Sequence, residues 1–284
     1  MNSSSLHSGS RVKPGSVITY AALVIIALLM LLPLIYMLST SLKTDKEMFL
    51  FPPTIIPRDI AWRNYIDIFS KISLLAYYKN SIIVAALATI GTLLSSSLVA
   101  FGFARYNARG KNLLFMVIIS TLLLPAPALV IPQFLVFKTF GWVNTLLPLI
   151  APAFFGSAYN IFLLRQFFTT VPNSLFEAAR MDGCSELGTW WKIAVPLCKS
   201  ALATVGIFMF IWCWNDLFTP VIYLSTDSMY TLPIGLASQY SPFRLKIPWN
   251  TIMVGNALAL LPIIVIFIRA QKYFVEGIAI SGLK

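Results

Sequence analysis

Six apolar stretches, near residues 17–38, 81–104, 113–137, 146–168, 200–224 and 252–270, set the terms for this chain. Each is long enough to cross the roughly 30 Å hydrocarbon core of a bilayer as a helix. In lipid every backbone N–H and C=O has to be satisfied inside the protein, which leaves α-helices as the ordinary outcome for such runs. The pattern predicts an all-α integral membrane protein with six transmembrane helices. Only 11% of the residues are charged and 58% are hydrophobic, far from the roughly 25% charged residues of a soluble domain. The polar tail over residues 1–16 carries no small-residue cleavage pattern beyond the first run, so that run reads as a retained span.

Several function classes fall away at once. The net charge of +11 is dispersed between the apolar runs and not gathered into a stripe, which suits helix flanks better than nucleic acid. Cys184, Cys198 and Cys213 have no paired spacing for a disulfide framework or a zinc site. The single histidine, His7, lies in the Ser-rich tail, which removes histidine-based catalysis. No G-x-x-x-x-G-K-[ST] loop is present, so the chain has no nucleotide site of that kind.

Between the first two runs lies a polar connection, Ser39 to Lys79, rich in aromatic residues and proline. In the second run Ala88, Thr92, Ser96 and Ala100 recur every fourth residue, a face small enough for a neighbouring helix to approach closely. Pro125, Pro127 and Pro132 interrupt the third; broken backbone at membrane depth suits either a pathway-lining helix or an ordinary kink. The short loops set the orientation, since Arg105, Arg109 and Lys111 follow the second run while Lys138 alone follows the third. The Lys- and Arg-rich side is expected to be cytoplasmic, and with it both termini.

One polar interruption stands apart: VPNSLFEAARMDGCSELGTWWKIAVP, residues 171–196. Ser174 and Glu177 have capping-box spacing, and Gly183 supplies the left-handed stop. A second amphipathic piece carrying Leu187, Trp190, Trp191 and Ile193 is expected to end at Pro196. The result is a two-helix hairpin on the cytoplasmic face, on which Leu175, Ala178, Ala179 and Asp182 share one side. It either serves as a docking surface or anchors the loop at the interface. A further cluster, Trp212, Trp214, Asn215 and Asp216, ends the fifth run, where it could stack on and hydrogen-bond a sugar or form an aromatic belt. Asp216 is the one acid placed in a span, and its charge calls for a membrane surface, a cavity or a partner.

Glu177, Ala178, Ala179, Gly183, Ile193 and Pro196 match the E-A-A, three residues, G, nine residues, I-x-x-P pattern of bacterial ABC-importer permeases. The chain further resembles the carbohydrate, maltose-permease-like branch in NYIDIF, YKNSIIVA, LLLPAPALVIPQF, IFLLRQFF, WNDLFTPVIYL, YTLPIGL and QKYFVEG. It departs from the family at its end, where Ser281, Gly282, Leu283 and Lys284 replace Gly-Ala-x-Lys-Gly.

The resemblance implies a membrane-spanning subunit of a binding-protein-dependent sugar importer in the bacterial cell (inner) membrane. The other components would be a homologous second permease, two cytoplasmic ATPase subunits and an extracytoplasmic sugar-binding protein. ATP and Mg would be bound by the ATPase subunits, with no cofactor and no catalytic or metal site in this chain. Carried over onto this sequence, Glu177, Ala178, Ala179, Asp182 and Gly183 would sit in the cleft of one ATPase subunit; Trp212, Trp214, Asn215 and Asp216 would border the sugar path. Two other classes remain for comparison. An ion-coupled secondary transporter would use Asp216 but needs inverted repeats, and a membrane-embedded enzyme needs a nucleophile, base and orienter that the spans do not supply.

Overall fold

The computed structural model describes residues 14–240 and 248–281, with side chains for 19–240 and 248–271. Most of the expected N-terminal tail and the last three residues of the atypical C-terminal end lie outside the described residues. No strand occurs among the described residues. The chain divides into two compact units, Met1–Ile66 with Pro248–Ala257, and Asp67–Ile247 with Leu258–Lys284.

In the smaller unit, α1 (Pro14–Ser41) is a long apolar helix with Pro33 inside it. The connection that follows is held by side chains that satisfy its backbone. Asn64 donates through Nδ2 to the carbonyl of Ser41 (2.9 Å), which the end of α1 leaves without a helical partner, and to that of Lys43 (3.0 Å) just beyond it. Glu47 Oε1 accepts from Thr54 Oγ1 and from the Arg58 N–H, each at 2.9 Å. Asn250, from the unit's second segment, donates to Asp45 Oδ1 at 2.6 Å.

The helix α2 (Asn64–Lys71) leads to α3 (Leu74–Arg105), the central element of the larger unit. A turn with Gly110 at φ 82° starts α4 (Lys111–Ser120), which α5 (Ala126–Thr139) follows after a bend of 101°. The cause is local: Leu124 precedes a proline and is extended (ψ 120°), and Pro125 has no N–H to continue the ladder. Then come α6 (Leu147–Ile150), a 3-10 stretch Ala151–Phe155 and α7 (Ala158–Thr170).

The hairpin comprises α8 (Asn173–Met181), α9 (Glu186–Thr189), a π turn over Trp190–Ala194 and α10 (Val195–Leu197). After an 84° bend α11 (Lys199–Asn215) begins, followed by α12 (Phe218–Tyr223), α13 (Leu232–Ala237) and α14 (Trp249–Ser281). Among the described residues four helical segments are long and apolar enough to cross a membrane, Thr19–Ser41, Leu74–Arg105, Leu147–Thr170 and Trp249–Gln271, and there are six if each bent pair counts as one span.

The small face of α3 explains how the larger unit packs. Ala88, Thr92, Ser96 and Ala100 are all buried, and α3 makes its main contacts with α7 and α11. A Cβ on Gly91 would stand 2.6 Å from the Phe154 ring, so only glycine lets that ring approach. Ser95 Oγ donates to Ala153 O (3.0 Å) and Ser96 Oγ accepts from the Ser157 N–H (3.1 Å), tying the non-α stretch before α7 to α3. At the other end of the unit's loops, Asn144, at φ 62°, accepts from the Ser225 and Thr226 N–H groups, both at 3.0 Å.

Two local expectations are corrected. Ser174 lies inside α8 and caps nothing; Pro172 (φ −58°, ψ 137°) is the N-cap residue, and the helix starts at Asn173. Nor does Pro196 end the second leg. It lies within the helical run, directly after the π turn over Trp190–Ala194, and the chain turns at Cys198 (φ −105°, ψ 23°).

Candidate functional site

The hairpin has one face turned into the protein and one turned out. Phe176 and Ala179 of α8 are buried, at 5% and 6% exposure, while Leu175, Glu177, Ala178, Asp182 and Gly183 are exposed. The inner face belongs to the core of the larger unit: Phe176, Ala194 and Cys198 pack with Ala100, Phe101, Leu164, Phe168 and Ala201. Of the five expected docking residues, therefore, four present themselves outward and Ala179 faces the chain's own interior.

Gly183 ends α8 as its sequence predicts. With φ at +77° it lets the Cys184 N–H reach back to Ala179 O (2.9 Å) and its own N–H to Arg180 O (3.0 Å), the paired bonds of a Schellman stop. A Cβ at Gly183 would meet nothing within 4 Å, so the site opens outward. Ser185 then caps α9, its Oγ accepting from the Gly188 N–H at 3.1 Å. The usable cap signal in this segment was therefore Ser185, not Ser174.

Both legs are tied to the end of α3 by two residues, Arg105, which the sequence marked only as a topological charge, and Tyr106, which it did not single out. Arg105 donates to Asn173 Oδ1 (2.5 Å), to Val171 O (2.7 Å) and to Phe168 O, while its guanidinium lies 4.0 Å from the Phe176 ring centre. Tyr106 donates its phenolic hydrogen to Glu186, and Glu186 pairs with Arg180 across the hairpin at 3.2 Å.

A second feature is a cavity of about 640 Å³, within the range of small-molecule sites. It is walled by α3, α5, α7, α11, α12 and the 148–157 segment. Gln133, Asn160, Thr92 and Asp216 bring polar groups to it, and Phe137, Tyr159, Trp212 and Tyr223 bring rings; among the described residues no Lys or Arg lines it. Gln133 and Phe137 come from the helix after the proline break, so the interrupted third run does reach the cavity wall.

The expected aromatic-acid cluster divides. Trp212 and Asp216 line the cavity. Trp214 is buried in the core, where its indole N–H donates to Ala259 O at 3.1 Å, and Asn215 turns back to Ile211 O at 2.8 Å. Asp216 stands in the break between α11 and α12, and its Oδ1 accepts the Thr219 N–H at 3.1 Å. Gln133 and Asn160 escaped notice in the sequence, although an amide side chain inside an apolar run was the available signal. Among the described residues no three His, Cys, Asp or Glu side chains converge as a metal site would need.

Residues 91–280 match the family model described as binding-protein-dependent transport system inner membrane component. The arabinooligosaccharides transport system permease protein of Bacillus subtilis (strain 168) is 32% identical over 264 residues, covering 91% of this chain and 92% of that protein. The sulfoquinovosyl glycerol transport system permease protein of Agrobacterium fabrum (strain C58 / ATCC 33970) is 31% identical over 255 residues, covering 89% of each. The fold is similar to that of a chain in the crystal structure of a bacterial ABC transporter involved in the import of the acidic polysaccharide alginate. There the TM-score is 0.83 at 24% identity, covering 93% of this chain and 99% of that one.

Proposed function

The chain belongs to the family of binding-protein-dependent transport system inner membrane components, a permease subunit of the sugar ABC-importer kind, and from that premise we propose how it works. It forms the translocation pathway for a neutral sugar together with a homologous second permease. Of two ATPase subunits, which hold ATP and Mg, one docks on the outer face of the 171–196 hairpin at Glu177, Ala178, Asp182 and Gly183. An extracytoplasmic sugar-binding protein delivers the substrate. The hairpin and both termini lie on the cytoplasmic side.

The observation that carries this reading is the two-sidedness of the hairpin: an outer face left open around Gly183 and an inner face packed into the same core as α3, α7 and α11. A partner pressing on the first moves the second. Ala179 acts in this scheme by letting α8 sit close to that core. The cavity lining supports a neutral sugar: among the described residues its one carboxylate is Asp216, and no Lys or Arg there offers an anion a counter-charge. Trp212 supplies a ring for stacking, and the amides of Gln133 and Asn160 supply donors and acceptors for hydroxyls. Nothing favours an ion-coupled pathway through Asp216, since its carboxylate already accepts a backbone N–H and, among the described residues, no second acid lines the cavity.

The test is reconstitution of the chain in proteoliposomes with its neighbouring permease, ATPase and binding-protein partners, with labelled arabinotriose as the first probe. Uptake is expected to require ATP and the binding protein. Uptake by the chain alone, driven by an ion gradient, would refute the proposal.

A further inference from the structure

We infer that Arg105 and Tyr106 together form the joint through which displacement of the hairpin reaches α3, and hence the cavity wall. This rests on the reading of the hairpin as the ATPase-docking element. Neither residue faces the docking surface or the cavity; both are positioning residues.

The geometry gives the two residues complementary tasks. Arg105 holds the first leg. It spends its guanidinium on Val171 O (2.7 Å), Phe168 O and Asn173 Oδ1 (2.5 Å), and the carbonyls are those that the end of α7 leaves unpaired. The same group lies over Phe176, 4.0 Å from the ring centre, so the first turn of α8 is gripped from its polar and its apolar side. Tyr106 holds the second leg through Glu186, the first residue of α9, and Arg180 closes the loop by bonding Glu186 from α8. Two attachment points on adjacent residues of one helix end resist both sliding and rocking, whereas a single point would let the hairpin pivot.

What lies beyond the joint makes it a transmission element. α3 is continuous for 32 residues and has no proline, the commonest site of a sharp kink, so a displacement of its end is passed along one unbroken element. It carries Val84 and Thr92 to the cavity wall. At its far end Tyr77 and Ser73 hold Asp227 (2.5 and 2.7 Å), and Asn80 holds the carbonyls of Ser228 (2.9 Å) and Tyr230 (3.0 Å). A push at Arg105 and Tyr106 is therefore delivered along one helix to the cavity and to the loop at the opposite end.

The test uses the assembled transporter in proteoliposomes, with Tyr106→Phe, Arg105→Lys and Arg105→Met, and reads molecules transported per ATP hydrolysed. Tyr106→Phe removes one oxygen and should assemble normally. ATP hydrolysis is expected to continue in this variant while the ratio falls on the order of fivefold, the lower end of typical coupling energies. Arg105→Met should lower it further, and Arg105→Lys less than Arg105→Met, since an ammonium keeps the charge but not the fork. If Arg105→Met fails to accumulate, Tyr106→Phe decides the matter alone. A parallel loss of hydrolysis and transport at an unchanged ratio would mean a purely structural role and overturn the inference, as would full coupling in Tyr106→Phe. Failure of the docking reading itself shows separately, as normal coupling in Gly183→Asp.

Discussion

Gly183→Asp separates the cost of folding the hairpin from the cost of covering it. Gly183 sits at φ +77°, and an added Cβ meets nothing within 4 Å. Inside the chain the only penalty is thus the left-handed backbone, about 1–2 kcal/mol for an ordinary residue and less for Asp, whose short polar side chain tolerates that region. That is a fraction of the stability of a typical domain, roughly 5–15 kcal/mol, so the variant should reach the membrane at near wild-type abundance. Outside the chain the situation differs. If a partner closes over this point, Asp inserts a carboxylate into a packed contact, and overpacking of that kind costs about 1–3 kcal/mol before its charge is considered. Coupling would then fall by about 5- to 150-fold.

Quantitative blotting of membranes gives the first number, and substrate-stimulated ATP hydrolysis with uptake by the reconstituted complex gives the second. Gly183→Ala is the control, since it carries at least as much backbone strain with far less bulk, and it should couple better than Gly183→Asp. Full stimulated transport by Gly183→Asp would refute the docking of a partner at this point. Equal loss in the Ala variant would assign the effect to backbone conformation instead.

Three further outcomes are expected. Gly91→Ala places a methyl 2.6 Å from the Phe154 ring, an overpacking worth about 1–3 kcal/mol, and should lower the thermal unfolding midpoint of the detergent-solubilised chain; an unchanged midpoint would show that the ring moves aside freely. Asp216→Asn keeps an oxygen to accept the Thr219 N–H and should retain ATP-dependent uptake, whereas abolition of uptake in a well-assembled complex would give the charge an essential role. The Glu47 carboxyl is held below its usual pKa of 4.5, chiefly by the Arg58 N–H and also by Thr54. Its contribution to loop order is therefore complete above that value and disappears as pH falls through the lowered one; hydrogen-exchange protection across residues 43–58, corrected for the intrinsic pH dependence of amide exchange, should fall on acidification, and Glu47→Gln should flatten that dependence.

The parts of this protein that were legible in its sequence are those decided locally. Apolar runs gave helices because composition alone determines where an unpaired backbone would be intolerable, and Gly183 gave a stop because its conformation is a property of one residue. The Ser174–Glu177 box failed for the opposite reason. Pro172 fixes a φ suited to starting the helix one residue earlier, and the first helical residue, Asn173, is claimed by Arg105 from 68 positions away. Trp212 and Trp214 were grouped by proximity in sequence, but on a helix two positions are about 200° apart. One ring accordingly borders the cavity while the other is buried against Ala259. Arg105 looked like one of several loop charges, and only the folded chain brings the end of α7 and the start of α8 to it.

Ala178 and Ala179 stand next to each other and are chemically identical, yet the first is exposed and the second is 6% exposed. Second-site genetics should tell them apart. A bulky residue at 179 crowds the interior of this chain, so suppressors of such a mutation should map within it, at residues of the core around Phe176. A bulky residue at 178 leaves this chain's packing untouched, and its suppressors should arise in the gene for whichever protein covers the hairpin. Two adjacent codons would thus identify, respectively, the neighbours inside the molecule and the neighbour outside it.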